Sequence, residues 1–467
     1  MSVTSTHPDY DDLSDVWETC RDVADGTRAL RAKTVRYLPK LTGEDAAPYM
    51  ARLNRTVLYN ATWRTIMGFQ GLLFRKPAVI TVPPAVNAMI EDITGSGISL
   101  RMLALEITEE CLTVSRVGLW VNYPKVDRGA ITRADAIRLN LRPTMRVCKA
   151  EEIYNWRSEV VNNKMQLTQV RLREKDLVAE DEFTWKEEDR YRVLDLVDGV
   201  YRVRRFKVDD AGTDVQIGGD EYPVMGGRPM NFIPFYFISP DDVTPDIDEP
   251  IFIDLIDVNL AHFQLSADYE HGCHWSGLPT PVITGHSPKP GETLKIGGPD
   301  AIVLPNPEAR ATMLEVGTQG FSALEKNLDR KEAQMVVLGA RLLEVQKPGI
   351  EAAETALIHR SGEQSILASM AQSISIGITA ALKTLVEWAN VPGEASISLN
   401  TDFFNSPMSA EMLNAVVNSW QKGAISSETR FKALQKGEMY PPDARWEDEE
   451  SKLTPVADAT QPPEGNP

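Results

Sequence analysis

Cysteine is scarce. Four residues, Cys20, Cys111, Cys148 and Cys273, are scattered through 467 positions. That is too few and too dispersed for a disulfide framework or a paired-cysteine zinc ribbon. The opening residues MSVTSTHPDYDD hold no apolar stretch, so they do not read as a secretory signal. A reducing, cytosolic setting is the expectation. No GxxxxGK[ST] loop occurs, and the dipeptide GK is absent altogether, so the phosphate cradle of P-loop motors is missing. Neither a GxSxG elbow nor an HExxH helix is present. Basic residues are outnumbered: 49 Lys and Arg stand against 67 Asp and Glu, a net charge of −18. A basic nucleic-acid reader is excluded by that balance. With 42% hydrophobic residues, a chain disordered throughout is excluded as well.

What is present is charge sorted into blocks. Residues 1–27 carry seven acids and one base, whereas residues 28–76 carry ten bases and two acids. Residues 241–272 carry nine acids and neither Lys nor Arg, and residues 438–467 carry eight acids and two bases. The basic block lies on an amphipathic helix without the interleaved aromatic platforms of single-strand binders. It therefore reads as a solvated or intersubunit face.

Periodicity orders the chain. A helical pattern spans Ala47 to Phe74 and stops at Arg75-Lys76-Pro77. AVITVPP reads as a short strand. A helix fits 98–115, with Leu100, Leu103, Ile107, Cys111 and Val114 on one face, and leads through Gly118 into LWVNYP. Residues 144–239 alternate or are β-branched, with Asn162-Asn163, Asp198-Gly199 and Asp210-Ala211-Gly212 between the runs. Such dipeptides suit tight hairpins, so an antiparallel meander is expected. SPDDVTPDIDEP (239–250) marks a boundary.

Beyond it, residues 251–272 return to helical spacing. Asp254, Asp257, Ala261, Gln264, Asp268 and His271 form a polar stripe, and Phe252, Ile256, Leu260, Phe263 and Ala267 an opposing apolar one. Strands and turns are expected over 276–317. A helix follows from about 319, with Phe321, Leu324, Leu328, Lys331, Met335, Leu338 and Leu342 on one face, and breaks at Gln346-Lys347-Pro348-Gly349. A third long helix runs from Ala352 to Ala389. Within it, nineteen residues (364–382) carry no charge, close to a membrane-span length. Seven of them are Ser, Thr or Gln, which favours a helix buried in protein over one facing lipid. After the strand-like SISLNTDFF, short helices fit 409–421 and 427–436, with Ser409 and Ser426 as N-caps. The fold class is α+β.

One cluster admits a metal reading. His262, His271, His274 and His286 lie near Cys273, with Asp268 or Glu270 close by, and a metal-dependent hydrolase is the alternative function. A helix end rich in polar residues is the plainer account, because no tight ligand pair with a clear fourth ligand is present.

The succession RTVLYNATWRTIMGFQGLLFRKP (55–77), AEEIYNWR (150–157), LAHFQLSADYEHGCHWSGLPTPVITG (260–285) and GARLLE with AAETALIHRSGEQSILASMAQSI (339–374) resembles the portal proteins of tailed bacteriophages. The resemblance covers most of the chain, and the joint order of the pieces carries it. It implies a portal fold: an acidic N-terminal arm (1–29), a wing (30–250), a first stem helix (251–275), a clip (276–318) and a second stem helix (319–345). A tunnel loop (346–355), a long helix (356–394), a helical crown (395–440) and a flexible acidic tail (441–467) complete it.

The same resemblance implies a homo-oligomeric ring, usually of twelve subunits, at one capsid vertex, assembled in the host cytoplasm. Double-stranded DNA would pass through the ring, held weakly and without sequence preference. The terminase large subunit, a head–tail adaptor, and capsid and scaffolding proteins would be its partners, with no membrane, no cofactor and no enzymatic activity. Asp254, Asp257, Gln264 and Asp268 are the expected channel-lining residues. Gln346, Lys347, Pro348 and Gly349 are expected in the tunnel loop, and Pro279, Pro281, Lys289 and Lys295 at the docking clip.

Overall fold

A computed structural model describes residues 2–124, 135, 138–277, 280–285, 308–314, 320–340, 353–403, 410–437, 439–440 and 444–452. The N-terminal segment, expected as an arm, is a helix of the core. In α1 (Pro8–Asp25) the His7 ring accepts a hydrogen bond from the Asp9 backbone N–H, and Pro8 starts the helix. Trp17, Cys20 and Val23 are fully buried on its inner face. Helix α2 (Thr27–Ala32) follows.

The helix expected over Ala47–Phe74 is two helices, α3 (Ala46–Arg55) and α4 (Ala61–Leu73). The β-branched Thr56 and Val57 favour extended backbone there, and Asn60 restarts the helix by accepting from the Trp63 N–H at 2.9 Å. A short α5 (Asn87–Ile90) precedes α6 (Leu100–Val114), capped by Ser99. Leu100, Leu103, Ile107, Cys111 and Val114 are fully buried, as their spacing predicts.

The region 144–239 is not one meander. Strands β4 (Ile153–Val161), β5 (Lys164–Ala179), β6 (Trp185–Val197), β7 (Val200–Val208) and β8 (Asp214–Glu221) form a five-stranded antiparallel sheet in sequence order. The turns at Asn162-Asn163 and Asp198-Gly199 adopt positive φ at both positions, as two-residue hairpins require. The flanking strands β3 (Thr144–Lys149) and β11 (Phe235–Ile238) instead sandwich β2 (Val117–Asn122) in a second, three-stranded sheet. Along the chain, between β8 and β11, comes the small antiparallel pair β9 (Val224–Met225) and β10 (Arg228–Pro229). Gly118 explains why β2 holds the centre of its sheet. A Cβ there would stand 2.2 Å from the Phe235 ring and 2.7 Å from Ile153, so only glycine lets both side chains close over the strand.

The second half begins with α7 (Ile253–Ser276) and the antiparallel pair β12 (Thr280–Thr284) and β13 (Arg310–Leu314). Helix α8 (Phe321–Met335) does not run on regularly. It passes into a π-helical turn at Val336–Ala340, where Gly339 sits so close to Leu255 and Thr65 that a Cβ would meet them at 2.6 and 2.9 Å. Helix α9 (Ala353–Trp388) then lies against the three-stranded sheet.

Residues Ile366–Trp388 are long and apolar enough to cross a membrane by length and composition, yet half of that span is buried inside the chain. Its hydroxyls are spent on the fold. Ser373 Oγ donates to the carbonyls of Ser239 and Asp242, both at 2.9 Å, and Thr379 Oγ1 bonds both the N–H and the carbonyl of Ile397. The strand expected near 396 is β14 (Ser396–Ser398), paired antiparallel with β1 (Val79–Thr81) across more than 300 residues of chain. Helices α10 (Ala410–Gln421) and α11 (Ser427–Lys436) match expectation, the latter capped by Ser426, whereas Ser409 lies outside the described residues. Residues 446–452, expected within a flexible tail, form α12 (Trp446–Lys452), whose Trp446 ring lies 5.7 Å from Phe431.

Gly118→Val should cost about 1–3 kcal/mol through overpacking, read as a lowered denaturation midpoint. An unchanged midpoint would mean that β2 is not held by this contact.

Candidate functional site

Helix α7 is 24 residues long, about 36 Å at 1.5 Å per residue, and its faces differ sharply. Phe252, Ile256, Phe263 and Ala267 are buried and Leu260 is half-buried, as the apolar stripe predicts. Asp254, Asp257, Gln264 and Asp268 are all exposed, with Ala261 and His271 half-buried between and beyond them. The polar stripe is thus a continuous strip along one side of a helix that is otherwise largely covered. Its far half is steadied: Gln264 Nε2 donates to the Tyr37 carbonyl at 3.0 Å, and Asp268 lies 3.9 Å from the Arg52 guanidinium.

Spacing alone did not point to the polar group that seats the helix. Asn259 is fully buried. Its Oδ1 accepts from the Thr62 N–H at 3.2 Å and the Thr62 hydroxyl at 3.0 Å, while its Nδ2 donates to the Tyr59 carbonyl at 2.7 Å. One amide therefore satisfies the Thr62 N–H, one of the unpaired donors in the first turn of α4, and locks α7 to that helix. On a third side α8 crosses at close range. A Cβ on Gly272 would stand 2.5 Å from the Phe321 ring, and the Tyr269 hydroxyl donates to Glu325 at 2.7 Å. Phe321, Leu324, Leu328 and Lys331 are half-buried and Met335 is buried, while Leu338 in the π turn is exposed. Leu342 lies outside the described residues.

Half of the basic block beneath this helix, Lys33, Arg36, Arg52, Arg75 and Lys76, is paired with carboxylates within the chain. Arg52 is 2% exposed and forms a two-pronged pair with Glu44 at 3.0 and 2.7 Å, while also donating to the Pro39 carbonyl. The hydrogen bond from Arg52 holds the Glu44 carboxyl at about 2, well below its ordinary range. Arg36 pairs with Asp15 and Glu18, Lys33 pairs with Glu18, and Lys76 pairs with Asp402 at 2.6 Å. Arg31 donates to the Thr56 carbonyl at 2.8 Å. The solvated or intersubunit face expected of this block is accordingly reduced: the acidic first segment supplies Asp15 and Glu18 to Lys33 and Arg36, and Glu44 and Asp402 serve Arg52, Arg75 and Lys76.

The histidines do not converge. His262 is buried and stands 3.5 Å from Glu332, with burial pushing its pKa down. His271 lies 3.5 Å from Arg55, and burial together with that guanidinium depresses its pKa too. Cys273 is exposed, and His286 lies outside the described residues. Among the described residues no three His, Cys, Asp or Glu side chains form a group able to hold a metal ion. Gln346, Lys347, Pro348, Gly349, Pro279, Lys289 and Lys295 also lie outside the described residues, whereas Pro281 is in β12 opposite Met313.

Residues 251–389 match a family model described as a domain of unknown function, DUF4055. No curated protein matches the chain. Among solved structures, the chain is similar to one in the neck of an empty GTA particle computed with C6 symmetry. The identity is 10%, with 80% of this chain and 89% of that one covered, at a TM-score of 0.38. A chain from the virion of the native gene transfer agent particle shows 9% identity, 86% and 97% coverage and a TM-score of 0.36. A chain from the neck of the native GTA particle computed with C12 symmetry shows 10% identity, 80% and 89% coverage and a TM-score of 0.33.

Asn259→Ala should destabilise by about 1–3 kcal/mol for each polar group left unpaired, with faster amide exchange at the start of α4. Protection there equal to wild type would show that the amide is dispensable. For Glu44, a folded pKa depressed from 4.5 to about 2 means that its contribution is complete above pH 4.5 and is lost as pH falls toward 2. Amide protection in α3 should drop across that window in the wild type, and the drop should be smaller in Glu44→Gln. Parallel profiles would disprove the linkage.

Proposed function

We propose that this chain is a portal subunit, a structural and non-enzymatic component of a phage-like particle, and that a closed ring of it forms the channel through which double-stranded DNA enters and leaves. The observation that carries this reading is the exposed strip of Asp254, Asp257, Gln264 and Asp268 along one side of α7. Support comes also from the order of elements. A helix, a small antiparallel β unit, a second helix and a third long helix follow one another from 253 to 388, after an α/β first half.

The electrostatics suit a conduit. Duplex DNA carries one charge per ~1.7 Å of axis, so a basic lining would grip it and oppose sliding. Carboxylates repeated around a ring keep the backbone off the wall and add a barrier to prolonged contact. The strip fits that task because Asn259 and the buried face hold α7 rigidly, while the ties from Gln264 to Tyr37 and from Asp268 toward Arg52 limit its far end. In this reading Lys347, beside Pro348-Gly349, makes transient phosphate contacts in a loop shaped by those two residues. The terminase large subunit and then the head–tail adaptor dock around Pro279, Pro281, Lys289 and Lys295.

Native mass spectrometry should give a closed oligomer near 620 kDa, about twelve protomers of 51.9 kDa, and negative stain should show rings. A monomer at all concentrations sinks the proposal. In assembled particles, Asp254→Lys with Asp257→Lys should slow DNA passage, and Lys347→Glu should alter packaging or retention while rings persist. Loss of ring assembly in Lys347→Glu would count against the role given to that residue.

A further inference from the structure

The five-stranded sheet ends before its longest hairpin does. Strand β4 pairs with β5 no further than Leu172, and β7 pairs with β6 no further than Phe206 opposite Tyr191. Beyond those points β5 and β6 continue alone, pair by pair, to Ala179 opposite Trp185. A lone two-stranded ribbon is marginal in water, and this one has a bare apolar end: Leu177 is 65% exposed, Phe183 84% and Trp185 63%. Leu177, Ala179 and Trp185 share a face, because directly opposed residues of an antiparallel pair point the same way.

The end is pinned in shape. Asp181 accepts from the backbone N–H groups of Phe183 and Thr184, both at 2.8 Å, and from the Thr184 hydroxyl, while the Glu180 N–H closes the turn on the Thr184 carbonyl at 2.9 Å. At its base, Asp176 accepts from Arg205 at 3.0 Å. Residues 177–189 hold six acids and one base.

A complementary surface exists on the same molecule. No Asp or Glu occurs from residue 46 to residue 90. The outer side of α4 and its approach expose Val57 (56%), Tyr59 (56%), Trp63 (36%) and Met67 (43%), flanked by exposed Arg64 and Arg28. Trp63 and Met67, four residues apart on α4, share one face of the helix, and the exposed Val57 and Tyr59 lie in the segment that leads into it.

We propose that the β5–β6 ribbon of one subunit docks on the outer side of α4 and its approach in a second copy of this chain, Phe183 and Trp185 against Tyr59, Trp63 and Met67, with Glu180 and Glu182 facing Arg64. Two different patches meeting in this way make a head-to-tail contact, the kind that closes into a ring. Burying rigid aromatics supplies the affinity, and the charges fix the approach. The inference rests on the ring reading above.

The test uses the purified full chain, with assembly followed by light scattering against concentration and folding checked by circular dichroism. Phe183→Ser/Trp185→Ser, Glu180→Lys/Glu182→Lys and Arg64→Glu should each raise the protomer concentration at half-assembly by about tenfold or more. Combining Glu180→Lys/Glu182→Lys with Arg64→Glu should recover part of that loss. If the wild type assembles and the Phe183/Trp185 variant assembles equally well, the docking inference fails and the ring reading stands. If the ribbon variants dissociate but Arg64→Glu does not, α4 is the wrong seat. A wild type that forms no closed oligomer removes the ring reading itself.

Discussion

The close approach of α9 to β11 is the contact on which the two halves of the chain depend. Gly377 faces Ile238 so tightly that a Cβ would stand 2.5 Å from it. Around this point Ile374, Ile378 and Ala381 are fully buried in the same continuous core as Phe237, Ile238 and Cys111. Ser373 ties the helix to the 239–242 segment, and Thr379 ties it to the strand that completes the β1 pair. The segment leading into α7 is therefore held by the helix that comes after it in the chain. A second close approach, Gly339 against Leu255 and Thr65, does the same for α8. Glycine at these crossings removes the one atom that would separate the layers.

The charge segregation has a tertiary meaning. Acids of residues 1–27 and bases of residues 28–76 face one another as Asp15, Glu18, Lys33 and Arg36, and Glu44 serves Arg52 within the block. What is left exposed on α7 is negative because its nearest cations are already engaged. A guanidinium as buried as Arg52 requires its carboxylate, since a lone buried charge is costly. That requirement fixes Arg52 in place and leaves Asp268 only at the margin of its reach, 3.9 Å away. The same logic weighs against a metal centre near His271, which meets Arg55 where a cation would have to sit.

Much of the fold was legible from residue order. The helices of residues 100–114, 353–388, 410–421 and 427–436 follow from period and caps, and the turns at Asn162-Asn163 and Asp198-Gly199 from their tolerance of positive φ. The two stripes of α7 emerged with the correct residues on each side. The departures have two causes. The joining of β3 and β11 to β2 and the π turn at 336–340 are decided by partners distant in sequence. The break at 56–60 had a local signal in Thr56, Val57 and Asn60, but the strong amphipathic pattern on both sides masked it. Asn259 could be found only by asking which buried amide faces a helix start.

Composition and spacing by themselves determined that this is an α+β chain with an acidic helix, a long helix holding a charge-free stretch and opposite charges in adjoining segments. Those properties are local, set by side-chain period, turn chemistry and charge count. Only the tertiary structure decided which charges remain bare. Pairing engages Lys33, Arg36, Arg52, Arg75 and Lys76 and leaves Arg28, Arg64 and the strip on α7 exposed, because ion pairs form between neighbours in space. For the charge-free stretch, whose Ser, Thr and Gln content already favoured burial in protein, the tertiary structure decided the partners: its hydroxyls find carbonyls of the sheet and loop against which glycine lets it lie.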